Sequence, residues 1–482
     1  MNIFRYFKKK GIDTIDSTFY AKIAQWDSWY RGDVKRFHWY RVYRGASRYE
    51  RCHRKSLGMA KKISEDIADL LLNEKVKITI KDPATDAFVK RVMEEANFTV
   101  QGNEYQERKA ACGTVAYVPY LTNMVLDEEG NAVSGDVKIN YVVAKNIYPT
   151  AWENSRVTEC VFLFEKTYQR KKYANFQYHH LLPFTDPDTG EESFQYVIDN
   201  SVVLCSDGTG RELTPEEWNQ IPSFAGLAAR IETGSDQPQF VIDKLNIANN
   251  VDEDDTNPMG VSIFANAVDV LAKIDLEYDS YANEFTLGRK RIFVAPEMLG
   301  TQDGSPVFDP NDSVFYQLPE DYFKDTHEAL HESNPALRVA EHEQAINNDL
   351  NLLSFKVGFG TQYYRFDRGN VATATQVISE NSDMYRTICK HEIILEDVLK
   401  DLVRIIIRLG KASGHTGLVE NTDIAISFDD SIIEDSSAER QEDRNDVAMG
   451  AMSLAEYRAK WYGETEEVAA TKLPDQSGGV LM

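Results

Sequence analysis

Five residues in this chain have the spacing of a catalytic signature: His327-Glu-Ala-Leu-His331. On a helix, that spacing would put both imidazoles on one face. They could then ligate zinc, with Glu328 as the general base of a peptidase. The context argues against it. Lys324-Asp-Thr precedes the motif and Glu332-Ser-Asn-Pro335 follows, so the segment is short, polar and stopped by proline. Glu341 or His342 could be nominated as a third ligand, but the favoured reading is a solvated surface turn. Other chemistry-bearing groups are weaker still. Asp252-Glu-Asp-Asp255 lacks the alternating ligands and central glycine of a calcium loop and reads as a solvated acidic linker. His179 and His180 sit in a strand-like run, where neighbours point to opposite faces and cannot easily share a metal. No Gly-rich loop ending in Lys-Ser or Lys-Thr is present, so the chain does not read as a phosphate-loop ATPase. The five cysteines (Cys52, Cys112, Cys160, Cys205 and Cys389) are far apart and odd in number, as expected of reduced thiols. No catalytic residue, cofactor or metal is assigned.

Two further groups suit binding. Gly358-Phe-Gly-Thr-Gln-Tyr-Tyr-Arg-Phe-Asp-Arg-Gly369 has glycines at both ends that permit a reversal. Gln362, Tyr363, Tyr364, Arg365, Phe366 and Arg368 would be presented from it, to contact a ligand or to pack between subunits. Near the N-terminus, Trp26, Trp29, Trp39 and several tyrosines alternate with Arg31, Arg36 and Arg41. Such interleaving suits single-stranded nucleic acid. It also suits a subunit interface, the reading favoured here.

Long helical patterns must position the loop. From about Val261 to Leu287, the residues Ile263, Leu271, Ile274 and Tyr278 mark one apolar face. Asp269, Lys273, Asp275, Glu277, Asp279 and Glu284 lie on the other. About 27 residues at about 1.5 Å each predict a rod of about 40 Å. A second pattern, about Val339–Val357, buries Ile346, Leu350 and Leu353. A third runs over about Thr373–Leu409. No proline occurs between Pro335 and Pro474 to break them. Residues 1–75 read as helical, with an amphipathic helix over Leu57–Asn73. Alternating runs between Val76 and Ser206 predict a mainly antiparallel sheet, with a helix at about Ala84–Ala96. Residues 207–257 read as a turn-rich connection, Val294–Gln317 as short β-like pieces, Ile424–Phe428 as one more strand and Ser453–Trp461 as a helix. The fold class is α+β.

With these elements in place, the chain resembles the portal (head–tail connector) proteins of tailed bacteriophages. The resemblance is carried by Asn257-Pro-Met-Gly-Val-Ser-Ile-Phe264, Ile274-Asp-Leu-Glu-Tyr-Asp-Ser-Tyr281, Glu284-Phe and Leu287-Gly-Arg289. Thr373-Ala-Thr375, Val377-Ile-Ser-Glu380, Phe428–Asp435 and Ser453-Leu-Ala-Glu-Tyr457 continue it in order. Trp26–Tyr43, Leu57-Gly-Met-Ala-Lys61 and Leu70-Leu-Leu-Asn-Glu74 fit upstream. The resemblance implies a portal fold: an antiparallel β-rich wing with N-terminal helices (1–257), a long helical stem pair (258–288 and 338–357), and a small clip insertion (289–337). A tunnel loop (358–372), a long wing helix with return strand (373–434) and a helical C-terminal crown with tail (435–482) would follow. It further implies a homo-oligomeric ring, usually of twelve, at one capsid vertex of the virion, assembled in the host cytoplasm. Double-stranded DNA would pass through the ring. Major capsid protein, terminase large subunit, a head-completion adaptor and, where one exists, a scaffold would be its partners.

Charge fits a conduit without identifying one. Residues 1–62 carry sixteen Lys/Arg and five Asp/Glu, a balance of +11, which leaves −35 for the rest of a chain whose total is −24. Tight duplex binding needs cations that displace phosphate counterions, whereas a channel for sliding DNA should mostly repel phosphate. No apolar run approaches a membrane span, and the N-terminal order of aromatics before lysines does not suit a signal peptide.

Overall fold

The computed structural model describes residues 2–43, 49–126, 132–185, 192–205, 210–294, 301–302, 305–306, 315–317, 330–366, 374–428 and 436–462. The N-terminal part packs helices against two sheets. α1 (Ile3–Lys10) starts at Asn2, whose side chain accepts the Arg5 N–H, and stops at left-handed Gly11. α2 (Ser17–Tyr30) buries Phe19, Ile23, Trp26 and Trp29, spaced by three or four along one face. α3 (Lys35–His38) leads into a hairpin of β1 (Trp39–Tyr43) and β2 (Tyr49–His53). The helical expectation for residues 1–75 is thereby corrected: β-branched and aromatic residues over 39–43 favour a strand pair there. α4 (Met59–Leu71) follows.

β3 (Lys77–Ile80), α5 (Pro83–Glu95) and α6 (Phe98–Cys112) come next. β4 (Thr114–Leu126) and β5 (Ala132–Val143) pair antiparallel. β6 (Ile147–Glu153), β7 (Arg156–Tyr168), β8 (Lys171–Thr185) and β9 (Glu192–Leu204) form an antiparallel meander. β10 (Arg211–Glu212) and β11 (Arg230–Glu232) join β9, on either side of α7 (Pro215–Trp218). β12 (Val241–Lys244) completes a three-stranded sheet on β4. α1 inserts Phe7 against Tyr148, Val161 and Phe176 of the meander.

α8 (Val268–Leu287) is seven residues shorter at its start than the sequence pattern suggested. Ile263 is buried, but in the segment before the helix. That segment is held by other partners: Gly260 N–H donates to Thr114 Oγ1 at 2.8 Å and Ile263 N–H to Ala110 O at 3.0 Å. Here two backbones touch. A Cβ on Gly113, whose φ is +85°, would lie 2.3 Å from Gly260 O, so only glycine fits.

β14 (Thr301–Gln302), β15 (Ser305–Pro306) and β16 (Phe315–Gln317) fall within the span of short β-like pieces expected over Val294–Gln317, while β13 (Arg291–Val294) starts before it and β17 (Leu330–Ser333) lies beyond it, where a turn was expected. β13 pairs with both β16 and β17. α9 (Val339–Lys356) runs back along α8. α10 (Ala374–Ala412) spans 39 residues, or about 58 Å. It buries Ile388, Leu395, Leu399, Leu402 and Ile406 within a core shared by α2, α4, α6, β4 and β12. β18 (Ile424–Ser427) pairs with β3, and α11 (Ser436–Met449) and α12 (Leu454–Tyr462) end the described chain. The class is α+β, as expected.

A fully buried ion pair lies inside this core. Lys109 Nζ reaches Asp243 Oδ1 at 2.9 Å, both side chains being 0% exposed. Gln106 donates to Asp243 Oδ2 at 2.7 Å. Burial holds the Lys109 ammonium below its ordinary range despite Asp243. Removing one partner strands a buried charge. Lys109→Met should therefore cost about 3–5 kcal/mol, measured by urea unfolding.

Candidate functional site on the paired helices

α8 and α9 are antiparallel, joined by side chains that the sequence spaces at helical intervals. Leu271 and Ile274 meet Ile346, Leu350 and Leu353 in the common core, while Tyr278 is half-buried. Polar cross-links follow the same seam. Lys356 Nζ donates to Asn266 O at 2.9 Å, Lys273 Nζ meets Asp349 Oδ1 at 2.8 Å, and Arg338 grips Glu284 at 2.8 and 3.1 Å. The Arg338 fork holds Glu284 down, at about 2.

The acidic side of α8 is divided, which corrects the expectation of one acidic face. Asp275 and Asp279 are buried. Asp275 Oδ2 lies 3.0 Å from His38 Nε2, and its Oδ1 accepts the Leu57 N–H at 2.8 Å. Asp279 Oδ1 accepts the Lys55 N–H at 3.0 Å. His38 Nδ1 accepts the Val34 N–H at 2.8 Å, so Nε2 carries the proton and donates to Asp275. These carboxylates thus fasten α8 to residues 34–57. The free side of α8 instead shows Lys273, Leu276, Ser280 and Phe285.

Glu277 and Asp349 form a second buried feature. Burial, and then the neighbouring Asp349, raise the Glu277 carboxyl above its ordinary range. Asp349 Oδ2 and Glu277 Oε2 are buried without a donor among the described residues.

The described start of the loop after α9, residues 358–366, is tied to the helices beside it. Gly358 and Gly360 have positive φ, and Gly358 O accepts the Thr387 hydroxyl at 2.8 Å. Phe359 is buried. Tyr364 is buried too, donating to Asp66 Oδ2 at 2.8 Å, and its N–H reaches Ser354 Oγ at 3.0 Å. Its role here is to anchor the loop, which removes it from the ligand-facing set. Arg365 donates to Gln362 Oε1 at 2.8 Å. Tyr363 and Phe366 are exposed, and Arg368 lies outside the described residues.

The N-terminal set separates in the same way. Trp26 and Trp29 belong to the chain's own core and are unavailable to a partner. Arg31 pairs with Asp27 at 2.8 Å, Trp39 is half-buried beneath the Arg51 guanidinium, and Arg36 and Arg41 are exposed. The zinc-site reading loses its helix. His331 lies in β17, not on a helical turn, and is paired in register with Phe293. His327 and Glu328 lie outside the described residues. His342 neighbours Glu284 at 3.7 Å, and Glu341 is exposed. His179 is buried between Phe162 and Phe240, held neutral with its proton affinity lowered to about 3, while His180 faces Asp199 at 2.9 Å. No cluster of three or more His, Cys, Asp or Glu able to hold a metal occurs among the described residues.

His38, Asp275, Asp279 and Asp349 escaped the sequence reading. Asp275 and Asp279 follow buried Leu271 by four and eight residues, so the three lie on one line along α8; that spacing was the available signal. The described residues combine helices and sheets in the α+β class that the sequence led us to expect. The chain belongs to the phage portal protein family, SPP1 Gp6-like, whose sequence profile matches residues 9–472. Membership carries a structural role in a phage particle. No curated protein matches the chain.

The raised Glu277 carboxyl sets a pH dependence. A carboxyl that is harder to ionise in the folded state lowers stability progressively as pH rises from its unfolded value of about 4.3 through its folded one. Glu277→Gln should therefore raise the melting temperature at pH 7.5, and the gain should vanish below about pH 4. Thermal unfolding across pH 3.5–8 measures it.

Proposed function

We propose that copies of this chain close into a ring, usually of twelve, that forms the DNA channel of a capsid vertex. The family match over residues 9–472 carries the reading. The structure supports it through the outward sides of α8 and α9. Leu276, Phe285, Leu352 and Phe355 are 45%, 48%, 44% and 64% exposed in the single chain, although each lies on a helix with a well-filled inner side. Apolar side chains repeated along one helix pair suit contact with the next copy.

In this reading α8 and α9 are the stem, and residues 289–337 the clip, where a head-completion adaptor docks. The β6–β9 meander and α10 form the wing, and α11 and α12 the crown. Residues 358–372 form the tunnel loop. Gln362, Tyr363, Arg365, Phe366 and Arg368 are its DNA-facing members, repeated once per copy around the bore. Weak contacts repeated this way steady duplex DNA without stopping it. Exposed Asp269 and Glu341 on the stem helices add carboxylates that repel phosphate. Major capsid protein, terminase large subunit and, where present, a scaffold are the remaining partners. The chain acts without catalysis of its own.

Electron micrographs and light scattering of the purified protein test the ring; a stable monomer at high concentration, with and without capsid partners, would sink it. Leu350→Pro should abolish rings, because proline inside α9 costs about 3 kcal/mol or more per copy. Arg365→Ala with Arg368→Ala should keep rings intact while changing DNA packaging or retention, measured as packaged DNA per particle.

A further inference from the structure

An open cleft of about 810 Å³ lies between the β6–β7 turn, β12 and the middle of α10. Five cations, Arg156, Lys244, Lys400, Arg404 and Arg408, line it against only two carboxylates, Asp397 and Asp401. This is a local excess of positive charge in a chain of net −24. The excess is poorly compensated within the chain. Lys244 Nζ is withdrawn from solvent and, among the described residues, donates to carbonyl oxygens, Pro258 O at 2.8 Å and Ser155 O at 3.4 Å. Arg408 donates to Pro238 O at 3.0 Å, and its closest carboxylate, Glu420, stands off at 3.9 Å. Burial holds both groups below their ordinary ranges. Arg156 and Arg404 share the single carboxylate of Asp401, each at 3.4 Å. Lys400 has a close carboxylate of its own, Glu396, one helical turn away.

Lys244, withdrawn from water and held by carbonyls, and Arg408, whose nearest carboxylate lies at 3.9 Å, both gain when an anion enters the cleft. None of the lining residues belongs to α8, α9 or the loop at 358–366. The cleft is therefore separate from the surface set against DNA above, and Asp397 and Asp401 in its wall oppose a phosphate track. The same chain, with 77 Asp and Glu against 53 Lys and Arg, is itself a carboxylate-rich partner. In a ring of head-to-side contacts, every copy offers one cleft and one complementary surface. We propose that this cleft receives a carboxylate-bearing surface of the next copy, an inference that rests on the ring reading.

The test uses two side chains at the open rim. Arg156 and Arg404 are 71% and 51% exposed, so Arg156→Glu with Arg404→Glu should fold, as circular dichroism will verify. Sedimentation at fixed salt should show rings falling apart at a protein concentration at least about tenfold higher than for wild type. Arg404→Lys should restore most of that loss. Independently, carbodiimide coupling of mixed ¹⁴N and ¹⁵N wild-type rings should join Lys244 or Lys400 to a carboxylate of a differently labelled copy. Rings of wild-type stability from the folded variant would overturn the inference. So would wild-type rings without a mixed-label cross-link, or a variant that keeps its rings but loses duplex DNA. Wild-type protein that never closes into rings would instead remove the ring reading on which the cleft depends.

Discussion

The Lys109–Asp243 pair is the constraint on which the rest of the architecture depends. Two charges withdrawn from water are tolerable only when each meets the other in good geometry. That requirement fixes α6 against β12 at one register. The next residue, Lys244, reaches Pro258 O, and two residues later Gly260 lies against Gly113 at the end of α6. Both contacts hold the segment from which α8 departs. A slip of β12 by one residue would turn Asp243 away from Lys109 and remove the anchor of Pro258 together. Lys109 stands far along the chain from the helices it positions, yet the starting point of α8 follows from its pairing.

α8 and α9 then have a polar seam as well as an apolar one. Leucines and isoleucines bring two helices together but tolerate sliding by a turn. The Arg338–Glu284 and Lys273–Asp349 pairs do not. Each is satisfied at one relative height of the helices. Asp275 and Asp279 set the rotation of α8 in the same way, because their acceptors must face the N–H groups of Leu57 and Lys55. A helix pair locked in height and rotation presents the same outer side in every copy, which is what repeated lateral contact requires.

The elements with a regular period were legible in the sequence. α4, α5, α9 and α10 agree with their patterns to within a few residues, because burial repeats at helical spacing along each. The strands of the meander were visible through their alternation and separating turns. The start of α8 was not, since Val261–Ala267 is apolar at the same spacing but is held by backbone contacts to residues far away in sequence. The hairpin at 39–53 was hidden by the dense aromatic and basic composition that suggested a helical surface. Charge signs were read correctly and their surroundings were not. Asp275 and Asp279 look like solvent-facing residues until His38 and the backbone of 55–57 are placed beside them. Trp26, Trp29 and Tyr364 carry types favoured at interfaces, and only tertiary packing shows that they are spent within the chain. Phe366 keeps its place in the proposed loop because its ring is exposed, although its N–H donates to Asn347 Oδ1 at 2.9 Å.

The pairing of β18 with β3 joins residues 424–427 to residues 77–80. A chain emerging from the ribosome carries β3 early, but must wait for most of its length before β18 arrives. Contacts of such separation in sequence are slow to form and leave an open strand edge meanwhile. The N-terminal base is therefore closed by a residue stretch synthesised long after the rest of it. Truncated products lacking that stretch keep the edge uncovered, which marks them for aggregation or proteolysis before they can join intact copies.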